Sequence, residues 1–132
     1  MHVHPARHLA ITIEIPFARA YAFAAQPENF AAWAAGLTDS LRRTREGWVA
    51  STPAGLARVH FSEPNPWGIL DHRVEPEGQP GINVPLRMMP NGDGTEIVFP
   101  LYRRPGMSVA AFERDAELVM ADLRTLKALL ER

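Results

Sequence analysis

The sequence predicts an α+β domain: a seven-stranded antiparallel sheet packed on one long C-terminal helix, with two short helices after the first strand. Three observations predict it. The opening segment alternates apolar and polar residues, as a half-buried strand does. The middle of the chain carries turn signals at about every 8–12 residues, too close together for the dozen-residue crossovers that parallel strands need. The end of the chain, from Phe112 to Leu130, has apolar residues at spacings of four and three, which is a helix with one buried stripe.

The first strand is Leu9-Ala10-Ile11-Thr12-Ile13-Glu14-Ile15, closed by Pro16. Its β-branched residues favour extended chain. Residues 1–7 precede it as a mobile tail. From Phe17 the chain turns alanine-rich with interspersed aromatics, and Pro27 suits the first turn of a second helix. The two short helices span 17–25 and 27–35 and stop at Gly36. Strand-like pieces follow at 37–45, 48–52, 56–62, 69–75, 82–89 and 95–102. Glycine, proline and asparagine turns separate them, ending with Asn91-Gly92-Asp93-Gly94. The final helix covers 108–132, with Ser108 as its N-cap after Pro105-Gly106. Phe112, Ala116, Val119, Leu123, Leu126 and Leu130 make its stripe, while Glu113, Arg114, Asp122, Arg124 and Glu131 take the other face. No repeat or linker divides residues 1–132, which read as a single domain.

With 132 residues, 46% hydrophobic and 22% charged, the chain can bury a sizeable core and is too apolar for disorder. Its net charge of −1 comes from scattered groups, so it lacks the basic footprint of a nucleic-acid binder. No stretch approaches the ~20 apolar residues of a membrane span. The first residues lack a signal-peptide core, which makes the cytoplasm the expected compartment.

Cysteine is absent, excluding disulfides, thiolate metal sites and a cysteine nucleophile. His2, His4 and His8 have no supporting carboxylate and do not make a zinc shell. Asn91-Gly92-Asp93-Gly94 reads as a hairpin turn, because a strand follows it where a calcium loop needs a helix. No glycine-rich loop joins a strand to a helix, and no serine sits in a nucleophile elbow. Neither metal nor cofactor is implied.

Alternation assigns the sheet faces. Ile97, Phe99 and Leu101 point inward in the last strand, Val84, Leu86 and Met88 in the one before. Leu70, His72 and Val74 share that face, as do Ala57, Val59 and Phe61. Arg58, His60, Asp71, Arg73, Arg87, Glu96 and Tyr102 fall on the outer face, where cross-strand charge pairs are expected. A register slip of one residue would instead bring Arg58, His60 and Arg87 inward. His72 interrupts an otherwise apolar inner face. A buried imidazole there is kept neutral, and it either bonds the backbone as a core residue or orients a ligand and acts as a general base.

The order of these elements resembles the START-like (SRPBCC) superfamily, the helix-grip fold, and in length its polyketide cyclase/dehydrase-like members. The first strand into Pro16, Tyr21-Ala22-Phe23, and Pro27-Glu28-Asn29-Phe30-Ala31-Ala32-Trp33 are similar to the family's opening. The Asn91-Gly92-Asp93-Gly94-Thr95 hairpin and Asp122-Leu123-Arg124-Thr125-Leu126-Lys127 are similar to its close. The resemblance implies a curved sheet gripping the C-terminal helix, with an apolar cavity between them. It supplies no shared catalytic motif, so fold alone does not settle the chemistry.

On that arrangement the expected cavity residues are Trp33, Phe61, Trp67, Leu70, His72, Leu86, Met88, Phe99, Phe112 and Ala116. Trp67, in a loop between two strands, would close the cavity mouth. The leading expectation is binding of a small apolar or aromatic, lipid- or polyketide-like ligand. Two alternatives stand beside it. One is a cyclase/dehydrase-type enzyme with His72 as catalytic acid/base, for which Tyr21 or Asp115 would supply the second group. The other is a non-catalytic interaction module with a collapsed cavity. Met89, Val98, Pro100 and Tyr102 form an outward apolar patch suited to a homodimer.

Overall fold

The computed structural model describes residues 2–34, 41–52 and 55–132. Within them the chain forms β1 (Ala6–Ile13), α1 (Phe17–Ala24), α2 (Pro27–Trp33), β2 (Arg42–Thr44), β3 (Gly47–Thr52), β4 (Gly55–Phe61), β5 (His72–Pro76), β6 (Ile82–Val84), β7 (Arg87–Asn91), β8 (Gly94–Tyr102) and α3 (Val109–Leu130). All strand pairs are antiparallel. The α+β class and the long C-terminal helix are as the sequence predicts.

The single seven-stranded sheet is not what forms. The strands make a three-stranded sheet in the order β1-β8-β7 and a five-stranded sheet in the order β2-β3-β4-β5-β6. The cause is Pro85. The piece expected as one strand over 82–89 breaks there into β6 and β7, because proline has no N–H to donate to a central ladder. β6 stays with β5, and β7 joins β8.

A seam of non-ladder bonds reconnects the two sheets. The Leu70 N–H donates to the Leu86 carbonyl and the Met88 N–H to the Gly68 carbonyl, both at 2.8 Å. Asp71 completes the seam: its Oδ1 accepts from the Leu86 N–H and from Arg87 Nε at 2.9 Å, and its Oδ2 from Arg87 Nη2 at 2.7 Å. The guanidinium holds the Asp71 carboxyl below the usual carboxylate range. Residues 69–71, expected at the start of a strand, belong to this seam, and regular pairing begins at His72.

Other boundaries move less. β1 starts at Ala6, and Ala6 and Arg7, assigned to a tail on sequence, pair with Tyr102 and Leu101. Of the strand expected over 37–45, β2 keeps Arg42–Thr44, while 37–40 lie outside the described residues. Ser108 caps α3 as predicted, its side chain accepting from the Ala111 N–H at 3.1 Å.

The predicted faces hold. Leu9, Ile13, Leu70, Leu86, Met88 and Ile97 from the strands meet Ala116, Leu123, Leu126 and Leu130 of α3 in one core, with Phe30 and Trp33 from α2. The outer face carries the charge pairs Arg58–Glu46, Arg73–Glu75 and Arg87–Asp71, with the His60 ring 3.4 Å from Glu75. Helix α3 is pinned to β1 at its far end, where Lys127 Nζ donates to the Thr12 carbonyl at 2.6 Å. Nearby, Glu131 Oε2 accepts from the Glu14 N–H at 2.7 Å.

Candidate functional site

Sheets and helix do not close on each other everywhere. Between them lies a cavity of about 190 Å³. Phe30, Trp33 and Ala34 wall it from the α2 side, His72, Val84, Leu86 and Phe99 from the strands, and Val119, Asp122 and Leu123 from α3. The walls are mostly apolar with a few polar groups converging, the usual make-up of a small-molecule site.

His72 opens β5, opposite Phe61 on one side and Val84 on the other. It is 8% exposed. Its Nδ1 lies 3.2 Å from the Leu70 carbonyl, which can only accept, so Nδ1 carries the proton. The rings of Phe30 and Phe61 stand 5.1 and 5.9 Å away. Burial disfavours the imidazolium and pushes the His72 pKa below its ordinary 6.5, against smaller upward pulls from the Leu70 carbonyl and the Asp71 charge. The ring is therefore neutral at pH 7, with Nε2 left as a lone-pair acceptor.

Trp33 ends α2, a helix that Pro27 starts at its first turn. The indole is 4% exposed and packs 4.7 Å from Phe30. Its Nε1 is buried without a hydrogen-bond partner among the described residues. A buried N–H left unmet costs about 1–3 kcal/mol.

A wider cavity of about 540 Å³ continues outward between β6, β8 and α3. The two share Val84, Phe99, Val119 and Asp122 as walls and so lie next to each other. The Pro85 break creates this mouth, because β6 ends there as an edge strand and β7 alone continues alongside β8. Asp115 and Asp122, two helical turns apart on α3, both line the mouth, with Arg104 at its rim. Among the described residues no group of three or more His, Asp or Glu side chains is placed to hold a metal ion.

Of the expected wall residues, Trp33, His72, Leu86 and Phe99 line the inner cavity. Leu70, Met88, Phe112 and Ala116 are buried but do not line either cavity. Phe61 packs behind His72. Trp67 does not close the mouth. It is 72% exposed, on a loop that Asn65 holds through its Oδ1, which accepts from the Trp67 and Ile69 N–H groups at 3.1 and 3.0 Å. Tyr21 is also committed to that loop, its hydroxyl accepting from the Asn65 N–H at 2.8 Å. Asp115 does reach the mouth.

Phe30, Ala34, Val84, Val119 and Leu123 line the cavity beyond the expected set, and so does Asp122, which the sequence puts on the solvent face. Its signal was spacing: 115, 119, 122 and 126 lie four, three and four apart, one continuous edge of the buried stripe.

No family model matches the chain, and no curated protein does. Solved structures do. DynU16, from the dynemicin biosynthetic locus, superposes with a TM-score of 0.70 at 14% identity, over 96% of this chain and 47% of its own. This chain thus spans about half the length of DynU16. CalU16 from Micromonospora echinospora gives a TM-score of 0.64 at 18% identity, over 95% of this chain and 73% of its own. A Chromobacterium violaceum protein gives 0.69 at 15% identity, over 96% and 98%. At such identities what is shared is the fold: antiparallel strands and a long C-terminal helix.

Proposed function

We propose that this chain is a START-like, helix-grip domain that holds a small, largely apolar ligand between its sheets and α3. The observation that carries the reading is the inner cavity: about 190 Å³ between mostly apolar walls, with the neutral His72 imidazole among them. Interiors normally pack without such holes. A ligand that fills this one buries apolar surface, at about 25 cal/mol per Å². Apolar cavities of similar size take up aromatic rings.

The test is to fill the shared wall. Val119 lines both cavities, so Val119→Trp should abolish uptake of the neutral fluorophore N-phenyl-1-naphthylamine, which the wild-type protein should bind. Overpacking should lower stability by about 1–3 kcal/mol without unfolding the domain, and urea denaturation checks this. Unchanged uptake by the folded variant would place binding elsewhere.

A second reading has one observation in its favour. His72 and Asp122 line the same cavity, and two groups of different acidity are what acid/base chemistry uses. A cyclase/dehydrase-type reaction with His72 as base would then occur where the ligand sits. On this reading the compound extracted from His72→Leu protein is the unreacted one, heavier by a water for a dehydration. A carrier yields the same compound from both proteins.

A further inference from the structure

The outer cavity is bounded by two strand segments that lie in register to pair and do not. β7 and β8 pair from Asn91 opposite Gly94 back to Arg87 opposite Val98. Continued in that register, Pro85 would face Pro100, and Asn83 would face Tyr102. Alternation fixes which way these backbones turn. The Leu86 and Met88 N–H groups go to Asp71 and Gly68, away from β8, so residues 83 and 85 turn toward β8. On the other side, the Thr12 carbonyl is taken by Lys127 at the outer edge of β1. Its opposite residue Glu96 therefore turns toward β7, and so do Val98, Pro100 and Tyr102. Pro85 and Pro100 thus fall at a position where an antiparallel pair exchanges two hydrogen bonds, and neither has an N–H to give.

We infer that this proline pair holds β6 and β8 apart as a standing port, through which the ligand enters and leaves. The inference rests on the ligand-binding reading above and adds its route. One proline alone would still allow one bond across the position; two remove both. Asn83 and Tyr102 keep their N–H groups, yet no backbone bond joins them, so the gap continues outward past the prolines. All four residues line the outer cavity. Prolines at strand edges also discourage a foreign strand from pairing there, which keeps the gap clear. Its rim suits an apolar traveller, because Tyr102 and Leu118 line the same cavity and are exposed. The inner cavity lies directly beyond, bordered by Val84, Phe99 and Val119.

Pro85→Thr combined with Pro100→Val restores both donors with residues that suit a strand. In this variant the amides at 83, 85, 100 and 102 should be protected from hydrogen exchange about tenfold or more beyond Asn83 and Tyr102 of the wild type. Stopped-flow mixing with N-phenyl-1-naphthylamine reads the port itself. Association and dissociation should both slow by about tenfold, with Kd changed less than about threefold, since a port acts equally on both directions. The chain has no cysteine, so Asn83→Cys with Tyr102→Cys gives a second, reversible closure. Oxidation should slow both rates and reduction restore them. Unprotected amides in the folded proline variant would overturn the proline pair as the cause of the gap. Unchanged rates with protected amides, or in the oxidised cysteine variant, would overturn the gap as the route. A wild-type protein that takes up no fluorophore would overturn the ligand-binding reading and the route with it, while hydrogen exchange still decides the role of the prolines.

Discussion

His72 sits where a charge is least welcome, against Phe30 and Phe61 and just inside the seam. Its folded pKa lies below 6.5, so between the two values the unfolded chain takes up a proton that the folded chain refuses. Stability contributed by keeping the ring neutral is complete above pH 6.5 and is lost as pH falls toward the folded pKa. Wild-type thermal stability should therefore decline as pH is lowered from 7 through 6.5 and below, and His72→Leu should flatten that part of the profile. Parallel profiles would mean that the ring protonates equally in both states. The sequence showed this residue, because a lone imidazole interrupts an apolar alternation. It hid Asp122, because an aspartate at a stripe-compatible position reads as solvent-facing when judged by residue type. It misplaced Trp67 for a related reason: bulk in a loop suggested a lid, while the direction of the loop is set by Asn65, whose hydrogen bonds no pattern announces.

Periodicity was enough to identify most elements, since alternation and the four-three stripe are direct consequences of burying one face. What periodicity could not convey was where one strand becomes two. The apolar alternation Val84, Leu86, Met88 runs straight through Pro85, yet the ladder cannot, and the seam that results opens the mouth of the cavity. Gly68 is the tightest point of that seam. Its φ of +74° lies in the left-handed region, and a Cβ there would come within 2.2 Å of the Met88 carbonyl oxygen. Its own carbonyl accepts from the Met88 N–H, so relief by shifting the loop would break a bond between the sheets. Gly68→Ala should cost about 2–4 kcal/mol in urea unfolding, from backbone strain and the weakened seam together. A change within ~0.5 kcal/mol, typical of a neutral surface site, would show that the seam is not rigid.

Across the whole molecule, one long helix lies over two sheets that meet at a proline break, and the incomplete closure between them is the cavity. The described residues include no helix long and apolar enough to cross a membrane. DynU16, CalU16 and the Chromobacterium violaceum protein share this fold at 14–18% identity, which carries the architecture and leaves the ligand to be argued from this chain's own walls. Native mass spectrometry of gently purified protein, followed by organic extraction, tests the central claim most directly. The account predicts a discrete extra mass that is released on denaturation and belongs to a mostly apolar compound. A bare polypeptide mass, with no rise in melting temperature across a panel of neutral aromatic ligands, would contradict it, because any ligand that binds the folded state alone must stabilise that state.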